Sequence, residues 1–245
     1  MQIKKTVFSF LDLTSLESTD NFKTISTLVN FAIEQNQRGF SVAAVCVYSA
    51  FGVHVQQKLA STGIKTAVVA GGFPHGLTSI ETKIFEVKQM ADLGIDEIDI
   101  VVNRGLILSG EFEKAEQELH AMRQVCPKAG LKVILETGEL IEEGLIKKAT
   151  QIAINAKADF IKTSTGKSKI GATPDAVQWM CEQIKEHYEQ TGRKVGLKIS
   201  GGVRTENDAI AYIKIVQEIL GATWLTPDLF RIGASSLASD LIKKS

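Results

Sequence analysis

Lysine is costly inside a buried strand, yet two runs of this chain place one there. In Phe160-Ile-Lys-Thr-Ser164 side chains alternate, so Ile161 and Thr163 face one way while Phe160, Lys162 and Ser164 face the other. Lys198, between Leu197 and Ile199, follows the same pattern. Burial disfavours an ammonium, and a second cation nearby disfavours it further, so such a lysine can be a neutral amine that attacks a carbonyl. That is Schiff-base chemistry. The plain alternative for the Lys162 run alone is a lysine snorkelling from an edge strand. For the two lysines together, catalytic use competes with a structural ion-pair network, and the first is favoured.

Carboxylates recur in the same setting. Asp12 is flanked by Leu11 and Leu13, Asp99 by Ile98 and Ile100, and Glu136 stands near the end of the run Lys132–Thr137. Interior charge must be paired, and here the signs can offset each other. Asp99 reads as a functional carboxylate, whereas Asp12 and Glu136 could equally border a substrate or neutralise a lysine. Thr14 and Thr165 complete the candidate substrate contacts at strand ends, together with Cys46, for which a small core cysteine is the simpler reading.

Three glycine-containing turns follow three successive runs: Thr165-Gly166-Lys167, Ser200-Gly201-Gly202 and Gly233-Ala-Ser235-Ser236. Glycine lets backbone N–H groups approach an oxyanion, and the last turn leads into a helix. Gly166, Lys167, Gly201, Gly202, Gly233, Ser235 and Ser236 are therefore the predicted phosphate site. His54, His75, His120 and His187 have no ligand spacing, so no metal site is expected.

These residues need a frame that brings strand ends together. Eight short apolar runs alternate with segments of helical period: Val7–Leu13, Val42–Tyr48, Thr66–Phe73, Glu97–Asn103, Lys132–Thr137, Asp159–Ser164, Val195–Ser200 and Leu229–Gly233. Helix signals lie between them, including a capping box at Thr78-Ser-Ile-Glu81, Thr173-Pro174 as N-cap and first residue, and Thr205 opening a helix that ends at Gly221. The pattern predicts an α/β fold, one (β/α)₈ TIM barrel over residues 1–245, with its active site at the strand C-terminal ends. An open doubly wound sheet is the runner-up, but no G-x-G-x-x-G follows the first run.

Composition narrows the function. Twenty-eight basic and 28 acidic residues leave no global field for nucleic acid or an anionic membrane, so an anionic ligand must be held locally. Three cysteines with no CxxC pair suit a reducing compartment, read as cytoplasm. Asp12 interrupts the first apolar run, which makes a poor signal peptide, and no run reaches the ~20 residues of a membrane span.

With these residues assembled, the sequence resembles the deoxyribose-phosphate aldolases, metal-independent class I barrel enzymes. The resemblance runs from Asp12-Leu-Thr14 through Ala44-Val-Cys46, Phe73-Pro-His-Gly76, Glu97-Ile-Asp99, Leu131–Glu139, Asp159–Lys167 and Lys198 to Gly201–Thr205 and Arg231–Ser236. It implies Lys162 as Schiff-base former, Lys198 as second lysine and Asp99 as proton-transfer carboxylate. It further implies a phosphorylated sugar as partner, cleavage of 2-deoxy-D-ribose 5-phosphate, no cofactor, and compatibility with a homodimer. Two departures stand out: Leu241-Ile-Lys-Lys-Ser245 ends the chain where some members carry a tyrosine, and Asn103-Arg104 replaces a Phe-Pro. Rival readings are another sugar-phosphate aldolase, an acid/base barrel isomerase, or a catalytically silent sugar-phosphate-binding barrel.

Overall fold

A computed structural model describes residues 2–243. The C-terminal Lys244-Ser245, part of the tail compared above, lies outside the described residues. Eight parallel strands close into a barrel in sequence order: β1 Leu11–Thr14, β2 Ala44–Tyr48, β3 Lys65–Val69, β4 Glu97–Val101, β5 Gly130–Ile134, β6 Phe160–Lys162, β7 Gly196–Ser200 and β8 Phe230–Ala234. This is the predicted TIM barrel. No helix among the described residues is long and apolar enough to cross a membrane.

Strand alternation sorts the side chains into two populations. Leu11, Leu13, Val45, Val47, Val68, Ile98, Ile100, Leu131, Val133, Ile161, Leu197, Ile199 and Ile232 join the large core between strands and helices. Inside the barrel, Ala44, Cys46, Ala67 and Val69 of β2 and β3 form a small apolar cluster. Beside Val101, Ile134 and Phe160, most of the remaining inward positions carry charge, with Asp12, Glu97, Asp99, Lys132, Lys162, Lys198 and Arg231 all buried.

Element boundaries differ from expectation where tertiary packing overrides local pattern. Val7–Ser9 belong to a helix, Gln2–Ser9, and not to the first strand. Val7 and Phe8 are buried there, so their apolar character serves helix packing. β3 stops at Val69 rather than Phe73, ahead of Gly71 and Gly72, whose φ angles of 70° and 76° turn the chain out of the sheet. β5 stops at Ile134, and Glu136, at φ 58°, starts a single helical turn, Thr137–Leu140. The box expected at Thr78 gives way to a single cap one residue on: Ser79 opens the helix Ile80–Asp92 by accepting from the Thr82 amide. Thr173 caps Pro174–Thr191, Thr205 caps Glu206–Leu220, and Gly221 ends the latter, as the sequence indicated.

Candidate active site

Parallel register sets the heights of the interior residues. Asp99 pairs across with Lys132, and Lys162 pairs with Lys198, which pairs with Arg231. Barrel closure thus gathers three lysines, from β5, β6 and β7, onto one carboxylate of β4. Asp99 Oδ2 accepts from Lys162 Nζ and from Lys198 Nζ, both at 2.8 Å, while its Oδ1 accepts from Lys132 Nζ at 2.9 Å. Asp12 holds Lys198 at 2.5 Å and Arg231 at 2.6 Å.

Desolvation and partners then separate the three lysines. Burial lowers each of them, but Asp12 and Asp99 outweigh it for Lys198, and Asp99, Glu97 and Asp12 outweigh it for Lys132, so both lie above the ordinary lysine range. For Lys162 burial prevails over the pull of Asp99, Lys198 adds to it, and the amine falls below its ordinary value. Burial would raise Asp99, yet Lys132, Lys162 and Lys198 together hold it well below the carboxylate range.

Of these three lysines, Lys162 lines a cavity of about 230 Å³ at the C-terminal mouth. The other walls are Thr14, Thr165, Gly166, Lys167, Ser200, Gly201, Gly202, Arg204, Gly233, Ser235 and Ser236, together with Leu16, Glu17, Val203 and Ala234. The three glycine turns therefore surround one space that ends at the amine with the lowered pKa. Close backbone contact holds the second turn in place. A Cβ built on Gly171 would fall 2.3 Å from the Gly201 carbonyl oxygen, and Gly201 itself has φ 81°. Lys167 Nζ lies 3.3 Å from Glu17 at the rim.

Three residues weighed as substrate contacts lie off this wall. Asp12 is fully buried behind Lys198 and Arg231, the lysine-neutralising alternative. Cys46 is fully buried in the apolar cluster of β2 and β3, and burial raises its thiol above the ordinary value. Glu136 turns its carboxylate to the loop after β6, accepting from the Thr165 hydroxyl and from the Ser168 hydroxyl at 2.8 Å. Arg104 reaches Glu139 at 2.7 Å and the Pro74 carbonyl at 3.2 Å, tying neighbouring loops together.

A model of the DeoC/LacD family of aldolases matches residues 6–240. The chain belongs to that family. Deoxyribose-phosphate aldolases from Mus musculus and Homo sapiens are 41% and 40% identical to it, each over 95% of this chain and 77% of their own length. Among solved structures, an aldolase called QR15 superposes with TM-score 0.77 at 30% identity, covering 97% of this chain and 96% of its own. A deoxyribose phosphate aldolase from Aeropyrum pernix with a unique tetrameric structure superposes with TM-score 0.79 at 25% identity, covering 100% and 92%. This aldolase is thus a lyase on a TIM barrel, and the resemblance drawn from its motifs holds.

Sequence reasoning missed four members of the site. Lys132 stands between Leu131 and Val133, and Arg231 between Phe230 and Ile232, the very signal that singled out Lys198. Glu97 opens its strand without an apolar neighbour before it, so alternation was silent. Arg204, two residues beyond Gly202, is an exposed cation on the cavity wall that only loop geometry reveals.

Proposed function

We propose that this aldolase reversibly cleaves 2-deoxy-D-ribose 5-phosphate to D-glyceraldehyde 3-phosphate and acetaldehyde, in deoxyribonucleoside catabolism, with Lys162 as the Schiff-base lysine. The relatives named above support the substrate. One observation carries the residue: of the three interior lysines, Lys162 alone combines a place on the cavity wall with a lowered pKa.

In this mechanism the neutral Lys162 amine attacks C1 of the open-chain sugar, and loss of water gives an iminium. Removal of the C3 hydroxyl proton lets the C2–C3 bonding pair flow into the iminium, releasing glyceraldehyde 3-phosphate and leaving an enamine. Protonation at C2 and hydrolysis then free acetaldehyde and the lysine. Asp99, directly or through a water, moves the proton, a role worth roughly 10²–10⁴-fold. Lys198, kept cationic by Asp12 and Asp99, favours the neutral form of Lys162. The amides of the three turns, with Lys167 and Arg204, hold the 5-phosphate, whose binding energy orients the reacting carbons. Glu136 positions Thr165 and the turn that follows it.

Three free, buried cysteines support a reducing, cytoplasmic setting. The homodimer implied by the family resemblance is checked by sedimentation. A coupled assay should detect acetaldehyde from deoxyribose 5-phosphate, and borohydride with substrate should leave an adduct on Lys162. Turnover without an adduct, or an adduct on another lysine, would overturn the assignment.

A further inference from the structure

The barrel interior holds three buried carboxylates, Asp12, Glu97 and Asp99, against four buried bases, Lys132, Lys162, Lys198 and Arg231. The charges cancel only when one base is neutral. Glu97 is the carboxylate furthest from the cavity: it lies on β4 two residues, about 6.6 Å, before Asp99 and on the same face. Its oxygens take Lys132 at 2.6 Å and Arg231 at 2.8 and 3.1 Å, and Lys65 reaches it at 3.2 Å. Glu97 and Lys65 also line a separate cavity of about 650 Å³, with Asp96, Asp159 and Phe160, at the opposite end of the barrel.

We infer that Glu97 is a positioning residue that sets the protonation of Lys162 from the far end of the barrel, by occupying Lys132 and Arg231 so that Asp99 and Asp12 remain available to the mouth. The inference rests on Lys162 being the Schiff-base lysine. The route is continuous: Lys132 bridges Glu97 to Asp99 Oδ1, and Arg231 bridges Glu97 to Asp12, the partner of Lys198. Without the Glu97 charge, Lys132 and Arg231 would draw entirely on Asp99 and Asp12. The interior would gain one positive charge, opposing both the Lys162 ammonium and the iminium formed there. The other titratable groups facing Lys162 belong to the same set: Asp99 on β4, Lys198 on β7, Lys132 on β5, Asp12 on β1 and Arg231 on β8, with the Cys46 thiol on β2, while β3 contributes Ala67, Val69 and, at its far end, Lys65, which reaches Glu97.

The test measures the pH dependence of cyanoborohydride trapping of acetaldehyde on Lys162, located by peptide mass mapping, in parent and variants. Comparison at each pH cancels the reagent's own dependence. Glu97→Gln should move the acid-limb midpoint down by about one pH unit and lower kcat about tenfold, with KM within about twofold. Glu97→Asp should recover most of both. Lys65→Met, at a half-exposed position, should move the midpoint the other way by a few tenths of a unit, and it decides the matter if Glu97→Gln does not fold. A folded Glu97→Gln with the parental midpoint, or a Lys65→Met midpoint that stays or falls, overturns the inference. A parent that forms no Lys162 adduct instead overturns the assignment of Lys162.

Discussion

Two neighbouring regions at the mouth of this barrel handle charge in opposite ways. The interior cluster around Asp99 is dry, self-paired and built from side chains of rigid strands. The cavity beside it is open and built largely from glycine turns, with Lys167 and Arg204 near solvent. In the first, each charge is so costly to strand that the count of partners fixes protonation. In the second, backbone donors and solvated cations can attract an anion without any group leaving its ordinary state. A site that must hold one amine neutral beside a dianion needs both environments, adjacent but distinct.

The sharpest way to break this contrast is to remove charges from the dry side one sign at a time. Lys162→Met should reduce cleavage to background. Because burial holds Lys162 below its ordinary value of 10.5, folding at pH 7 works against its protonation, so this variant should also unfold at a higher temperature than the parent. Asp99→Asn should lower kcat by roughly 10²–10⁴-fold and, unlike Lys162→Met, cost about 3–5 kcal/mol of stability, since it strands three buried lysines. Equal stability of the two variants, read by denaturant titration, would show that the cluster is not charge-balanced as described.

On the wet side the effects should be smaller and confined to binding. Lys167→Ala combined with Arg204→Ala should raise KM for the phosphorylated substrate about tenfold and leave KM for unphosphorylated deoxyribose nearly unchanged. Proportional loss on both substrates would sink the phosphate assignment. The pH profile separates the regions further: kcat/KM should rise through an acid limb lying below 10.5, set by Lys162, because the amine reacts only after losing its proton. That limb should stay in place in the Lys167→Ala, Arg204→Ala variant. Smallest of all, Glu17→Gln should lower KM about twofold by freeing Lys167 from its 3.3 Å partner, with steady-state kinetics at low salt as the check.

Much of the arrangement was legible because strand alternation is a local property. Lys162, Lys198 and Asp99 turn inward because the residues beside them face the helices, and Gly201-Gly202 follow β7 directly, whereas Gly166 lies four residues past β6 and Gly233 is still within β8. The misreadings came where a distant part of the chain decides. Val7 to Ser9 look like strand but pack as helix, and Glu136, at φ 58°, turns toward the loop after β6. Lys132 and Arg231 carried the same alternation as Lys198, yet nothing local said that they would meet Glu97.

Local patterning specifies the barrel, the inward faces and the glycine turns, since side-chain period and turn chemistry are written over a few residues. Which carboxylate faces which base follows from how the strands close on one another. Closure and register bring residues such as Asp12 and Arg231, from opposite ends of the chain, within 2.6 Å of each other, and in a medium of low polarizability that pairing sets which lysine gives up its proton.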